Sequence, residues 1–497
     1  LENDRGSGVA MSLTAELTPL FLVGGLVLLG WSLNRARQRG MVGILGWLQS
    51  LTLFLPWLIF IALLSAGIYL SIVGFVILLA VSTVIYIALG QALRQRLLTE
   101  LQHRPPNPPP QETTPGIPEA QDWGRSQVTD EDLAAIRSIF GLDTFFATEI
   151  IPYASGVIVK GNLRGDADPV LAALTEKMEA ARPGQWRVYL VEDGEEKPTV
   201  LLLPERLVNR PVSQGVKYLA VGLLVATLLT LLEVGANLAG FDLLTTPERW
   251  PEALPIAAGI FATLVVHETG HRWMAGKYGV RLGPALTIPA LGIGTLGTLT
   301  GIESPVPHRR ALFDIAFAGP AAGGIFSLGV LIAGLVLSKG SGLIYVPSAV
   351  FQNSVLVGSL AKWILGPELS QEVIGIHPFV AIGWIGLAVT ALSLLPAGQL
   401  DGGRMIQAVY GRKTAARATL ITLILLGIAA LGNAIALYWA LLILLVAREP
   451  ERPPLNELSE TDTPQDALAL LALFLTIMTL LPVTPVLARF LNFGGVT

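Results

Sequence analysis

The sequence predicts an all-α polytopic membrane protein of about nine or ten transmembrane helices, with a re-entrant β element and a small soluble α+β domain. Three observations carry this expectation. Apolar residues make up 52% of the 497-residue chain and charged residues only 14%, against roughly 25% charged in an ordinary globular protein. Uncharged apolar runs near the length of a membrane span recur along the chain. Two stretches, 120–212 and 284–302, break that pattern in different ways. The 33 basic and 37 acidic residues leave a net charge of −4, which gives no electrostatic basis for a nucleic-acid partner. Cysteine is absent, which excludes disulfide scaffolds, thiol nucleophiles, iron–sulfur clusters and cysteine-built zinc sites. Any metal must be held by carboxylates and by some of the five histidines.

Residues 1–16 read as an N-terminal tail, with Met11 as the translation start. N-terminal transmembrane helices occupy 17–96. A first apolar run, Leu17–Leu33, ends in Arg35, Arg37 and Arg39. Residues 40–93 carry no charge and are too long for one span, so they fit a pair, closed by Arg94 and Arg96. A stiff linker covers 97–122, with seven prolines between Pro105 and Pro118.

The soluble α+β domain spans 123–212. Thr129 followed by Asp130, Glu131 and Asp132 is an N-cap with acids in the first turn, opening a helix that ends near Gly141. Thr148–Lys160 reads as one strand, and Asp168-Pro169 opens a helix to about Ala181. Trp186–Glu192 and Thr199–Pro204 alternate as strands around an Asp193-Gly194 turn.

Apolar spans resume in a membrane domain over 216–450, at Val216–Leu232, Leu254–Met274, Leu312–Leu337 and Pro378–Leu395. Ala418–Ala447 is long for one span and short for two, with Gly432-Asn433 at a possible turn. Residues 451–497 form a loop and a last span, Ala467–Leu487. Arg35–Arg39, Arg94–Arg104, the soluble domain, Arg272, Lys277, Arg281, His308-Arg309-Arg310 and Arg404 fall on one side, the cytoplasmic or stromal one. Residues 284–302 are uncharged but broken by Pro284, Pro289 and several glycines, so they read as a hairpin buried in protein, not a lipid-facing helix. Gly294, Thr295, Gly297 and Thr298 are its candidate substrate-binding residues, through pairing with an unwound chain.

The sharpest chemical signal is His267-Glu268-Thr269-Gly270-His271. Histidines four apart share a helix face and can bind one zinc ion, and Glu268 between them can take a proton from water. Ionisable groups at the end of the uncharged run Leu254–Val266 are functional by default. A third ligand is required. The candidates are Asp401, Glu303, His308 and His377. Asp401 matches the depth and side of the histidines, yet it would equally serve as the N-cap of a helix beginning near Gly402. His103, beside the linker, reads as solvated, and Glu233 and Asn237 read as interfacial.

The sequence resembles the site-2 protease family of intramembrane zinc metalloproteases over about residues 216–450. His267-Glu268-x-x-His271 matches that family's first motif, and Leu395-Pro396 through Leu400-Asp401-Gly402-Gly403 matches its second. Leu312–Gly323 is similar to its central helix. The resemblance implies that Asp401 is the third ligand to one Zn²⁺ per chain, that Glu268 is the catalytic base, and that the substrate is a transmembrane segment of another membrane protein. Ser393 stands where the family carries an asparagine that steadies the substrate carbonyl, so Ser393 is the candidate oxyanion donor. Gly161-Asn162-Leu163-Arg164-Gly165 resembles the motif of the plastid and cyanobacterial ethylene-dependent gravitropism-deficient and yellow-green branch. That implies a bacterial (cyanobacterial-like) inner or thylakoid membrane, or a plastid membrane. The motif itself reads as a turn between a strand and the Asp168 helix. Two other functions compete: a catalytically impaired, chaperone-like binder of membrane proteins, and a divalent-metal transporter.

Overall fold

The structure, a computed structural model, describes residues 128–484 except 154–155, 194–196, 210–211, 341, 431–432 and 448, together with scattered positions between 33 and 93. It divides into two compact units, Leu1–Pro118 and Glu119–Thr497. Nearly all of the Leu17–Leu33 run, the proline linker and His103 lie outside the described residues. In the first unit, the described positions near Met41–Thr52 and Val81–Leu93 are helical. The Ser82 hydroxyl donates to the Thr52 carbonyl, and the Gln49 amide donates to the Tyr86 carbonyl. These contacts run in opposite chain order, so the two helices are antiparallel.

The second unit opens with an α+β domain. Its order is α1 (Asp130–Ser138), β1 (Phe145–Tyr153), β2 (Gly156–Leu163), α2 (Ala167–Ala181), β3 (Trp186–Glu192) and β4 (Pro198–Pro204). The sheet is antiparallel in the order β1-β2-β4-β3. Ile136, Phe145, Leu174, Leu190 and Leu202 form its core. The expected single strand Thr148–Lys160 is instead a hairpin of β1 and β2. Apolar residues continue through both arms, and the one turn signal, Ser155-Gly156, sits inside that run. Gly161, Asn162 and Leu163 belong to the end of β2, not to a turn. A side chain on Gly161 would overlap the Phe146 carbonyl, beside the β-bulge at Ala147/Glu149. The turn proper is Arg164-Gly165.

Next come α3 (Gln214–Leu238), α4 (Trp250–Lys277), β5 (Leu282–Ala290), β6 (Gly294–Ile302) and α5 (Arg309–Leu337). β5 and β6 pair as the hairpin expected over 284–302. It lies against α3, where the Thr227 hydroxyl donates to Thr287 and the Thr230 hydroxyl to the Gly294 carbonyl. Residues 338–377, for which the sequence offered no element, hold β7 (Ile344–Pro347), α6 (Val355–Leu365) and β8 (Val373–Ile376). Strands of four residues are too short to show a period. Then follow α7 (Pro378–Ser393), α8 (Asp401–Ala429), α9 (Ala434–Leu442) and α10 (Thr463–Leu480).

Four helices among the described residues are long and apolar enough to cross a membrane: α3, α4 with its preceding turn, α5 and α10. α7 is as apolar but shorter. The Ala418–Ala447 stretch resolves into two helical segments. Asn433 caps the second, accepting from the Ile435 N–H at 2.9 Å. α8 is itself kinked at Gly411, whose φ of 81° no helix accommodates. α5 is the hub, packed against α4, α7 and α8.

The α+β domain is tied to this bundle by a strap, residues 451–457. The edge strand β3 pairs with it: the Leu190 N–H donates to the Leu455 carbonyl at 2.7 Å, and the Glu457 N–H to the Leu190 carbonyl at 2.9 Å. On its other side, the Leu455 and Asn456 N–H groups donate to the carbonyls of Val306 and Pro307. The Asn456 amide reaches Asp168 at 2.5 Å.

Thr129 and Asp132 form a reciprocal capping box on α1. Burial pushes the Asp132 carboxyl up, but hydrogen bonds from Thr129 and Trp186 and the nearby Arg182 outweigh it and hold the carboxyl below its usual range. Thr129→Ala should cost about 1 kcal/mol at this cap. Amide exchange across α1 should then speed about fivefold while the membrane helices are unchanged, as read by hydrogen exchange on the whole protein.

Candidate metal centre and active site

Helical periodicity puts His267 and His271 one above the other on the face of α4 that meets α5, and both are about 5% exposed. The approach is possible because α5 presents glycines there. A Cβ on Gly319 would overlap the His271 ring, and one on Gly323 would lie 3.0 Å from the His267 Cβ. The third group arrives from the far side of the fold. The Leu394–Leu400 turn delivers Asp401 as the first residue of α8, held in place by the Gly398 N–H donating to Thr419. The N-cap residue is Leu400, which has no side chain to cap with, so Asp401 does not serve as the cap.

Asp401 Oδ2 is 3.2 Å from His267 Nε2 and Oδ1 is 3.3 Å from His271 Nε2. The two Nε2 atoms are 3.0 Å apart. Among the described residues this is the one such cluster of metal-capable side chains. The spacing fits the group that the donor set implies: ligands at 2.0–2.1 Å around a tetrahedral zinc stand about 3.3 Å from one another. The Ile315 carbonyl lies 2.7 Å from His271 Nδ1 and accepts its N–H, which leaves the Nε2 lone pair facing the other two ligands.

Glu268 points to the neighbouring face of α4. The Thr300 hydroxyl on β6 donates to its Oε2 at 2.7 Å. Arg272, one turn on, forms an ion pair with Oε1 at 2.7 Å. A cavity of about 380 Å³ opens beside Glu268 between α3, α4 and the hairpin. Its walls are largely apolar, with Leu224, Phe261 and Leu264 among them, and Thr298 lines it.

The remaining expected site residues divide. Thr298 reaches the cavity, whereas Gly294, Thr295 and Gly297 do not line it. The Thr295 hydroxyl is spent on the Ile288 carbonyl, and the Gly297 N–H is spent on that hydroxyl. The Ser393 hydroxyl donates to the Thr390 carbonyl one turn back in α7, 2.9 Å away. Glu303, His308 and His377 stand apart from the cluster. His308 caps α5 by accepting from the Ala311 N–H, and His377 caps α7 by accepting from Phe379. Burial pushes His308 below the usual imidazole range, which keeps it neutral and able to accept. Asn237 donates to Glu233.

Four participants escaped the sequence reading: Ile315, Thr300, Arg404 and Glu451. Arg404 donates from Nε to Glu451 at 3.0 Å and from Nη2 to the Thr300 carbonyl at 2.8 Å. Its place three residues after Asp401 puts it on the same helix face, a signal that was available. For Glu451 and Thr300 no sequence signal existed.

A buried zinc-type ligand set with a glutamate at its edge, among helices of membrane length, defines a membrane metallopeptidase as the class. Comparison with known proteins agrees. Residues 255–432 match Peptidase family M50, and residues 134–211, including the Gly161–Gly165 motif, match the EGY3 middle domain. The chain belongs to the site-2 protease family of zinc metalloproteases, in its EGY branch. It is 32% identical over 413 residues to the Arabidopsis thaliana protein named "Probable zinc metalloprotease EGY1, chloroplastic", covering 75% of each chain. It is 35% identical over 342 residues to "Probable zinc metalloprotease EGY2, chloroplastic" from Arabidopsis thaliana, covering 67% of this chain and 61% of that one. A third relative, "Probable zinc metallopeptidase EGY3, chloroplastic" from Arabidopsis thaliana, is 32% identical over 357 residues. The match thus spans about three fifths of the length of the EGY2 and EGY3 proteins. No solved structure matches the chain.

Gly319→Ala should push the His271 ring aside and weaken zinc binding by about 100-fold, the scale of a lost supporting contact. Gly324→Ala, where a Cβ meets only Thr390 Cγ2 at 3.5 Å, should leave it unchanged. Chelator competition on the purified variants measures both.

Proposed function

We propose that this protein is an intramembrane zinc endopeptidase that cuts a transmembrane segment of another membrane protein. The observation that carries the reading is the convergence of His267, His271 and Asp401 beside Glu268 in a buried site. One Zn²⁺ per chain, held by those three side chains, would supply Lewis acidity that polarises the scissile carbonyl and acidifies the attacking water. Glu268 accepts the proton of that water and returns it to the leaving amine. A substrate helix hides its own carbonyls, so a segment must unwind before it can react. The apolar cavity beside Glu268 suits such a segment, and Thr298 supplies a polar contact on its wall.

The lipid bilayer is the medium of the reaction. His271 lies six residues before the end of α4 at Lys277, about 9 Å from the basic end of that helix. Under the positive-inside rule that end faces the cytoplasm or stroma, so cleavage releases a fragment on that side. The chloroplastic relatives and the match to the EGY branch support a thylakoid, plastid or cyanobacterial inner membrane. A second reading, an impaired relative that binds membrane proteins without cutting them, draws on Ser393, whose hydroxyl is engaged with Thr390.

Glu268→Gln should keep one zinc per chain and lose cleavage of co-expressed membrane substrates by about 10²–10⁴-fold, the usual contribution of a general base. Wild-type-level cleavage in that variant would overturn the mechanism, and a wild type with no cleavage at all would favour the second reading. Zinc should be absent from the His267→Ala, His271→Ala double variant by elemental analysis. Asp401→Ala retaining both zinc and activity would remove Asp401 from the ligand set. Reporter fusions after Arg96, Gln214 and Arg412 should sit on the cytoplasmic or stromal side and a fusion after Gly240 on the other. A Gln214 fusion on the far side would reverse the proposed direction of product release.

A further inference from the structure

We propose that Glu451 and Arg404 are positioning residues for Glu268, acting through Thr300; this rests on the peptidase reading above. Arg404 is 5% exposed and Glu451 5%, among the most deeply buried charges described. Arg404 Nη2 lies 2.8 Å from Glu451 Oε2, and Nε donates to the same oxygen at 3.0 Å. The other Glu451 oxygen accepts the Arg452 N–H at 3.0 Å, and the Glu451 carbonyl accepts from Gln407 Nε2 at 3.0 Å. Glu451 is therefore fixed both along its own backbone and against α8. A buried ion pair adds little stability on its own, since desolvation offsets most of its attraction. Orientation is what this pair delivers.

The guanidinium points two ways. Nη1 stands 4.0 Å from Asp401 Oδ1, too far for a hydrogen bond. Nη2 donates to the Thr300 carbonyl, and the Thr300 hydroxyl donates to Glu268 Oε2. One residue of β6 thus receives a bond from Arg404 on its backbone and passes one to the base from its side chain. Arg272, half exposed on the opposite flank, draws the other Glu268 oxygen outward. With Thr300 loosened, that ion pair wins and the carboxylate swings from the ligand cluster. The Thr300 step of this path touches no metal ligand, so loosening it should act on the base and not on zinc.

The test uses the full chain in detergent, loaded with zinc, and benzohydroxamate as the probe. A hydroxamate binds a metal through its oxygens and needs the adjacent carboxylate to take its proton. Thr300→Val should keep one zinc per chain with unchanged chelator competition, and weaken benzohydroxamate about tenfold. Thr300→Ser, which keeps the hydroxyl, should bind within about twofold of wild type. Glu451→Gln should resemble Thr300→Val, and wild-type affinity in it would overturn the proposal; if it does not fold, Arg404→Lys, which keeps the charge but loses the two-way donation, decides in its place. Wild-type affinity in Thr300→Val, equal weakening in Thr300→Ser, or zinc loss in either would overturn the proposal. A wild type that binds no zinc would instead bring down the peptidase reading, and this inference with it.

Discussion

The Asp401 carboxylate meets the Nε2 atoms of His267 and His271 at 3.2 and 3.3 Å, and all three groups are buried. Three acceptors facing one another out of water are repulsive unless a positive charge sits among them. The surrounding architecture follows from holding them there. α4 can approach α5 closely only where α5 has no side chains, and Asp401 can arrive only if the chain turns sharply before α8. The Leu394–Leu400 turn, with its proline and glycine, does that turning.

Around this cluster the polar groups are arranged as a second layer, not scattered. His271 is oriented by a carbonyl of the hub helix, Glu268 by a hydroxyl of the hairpin, and the hairpin by an arginine of α8. The hairpin is thus more than a filler between spans. Threonine hydroxyls on one of its faces meet α3 and α4, at small desolvation cost, and a backbone carbonyl meets α8. Among helices that share an apolar solvent, such directional contacts and close packing decide which helices meet.

Much of this was legible in the residues. The histidine pair and its glutamate announced themselves through a fixed spacing on one helix, and the hairpin through prolines and glycines in an uncharged stretch. The role of Asp401 needed the resemblance, because its spacing alone equally suits a cap. Four-residue strands such as Ile344–Pro347 leave no period to detect, and the β1–β2 reversal hid in a run that is apolar on both arms. Glu451 was invisible for another reason: its partner Arg404 lies in a different element, and only the folded chain brings the two together. The substrate residues proposed in the hairpin show the converse. Composition located the element correctly but could not tell which of its threonines face inward to close the turn and which faces the cavity.

The strap has a consequence for how the protein is made. Strand β3 is made before α3, yet the residues that cover its edge, 455–457, emerge only after α3 to α9. Until then the nascent α+β domain carries an open sheet edge at β3, the kind of surface that recruits stray strands. Glu451 travels on the same late segment. A ribosome-bound chain can therefore fold its helices, and even assemble its three ligands, before the groups around the base are complete. The groups around the base are complete only once residues 451–457 have followed α3 to α9 out of the ribosome.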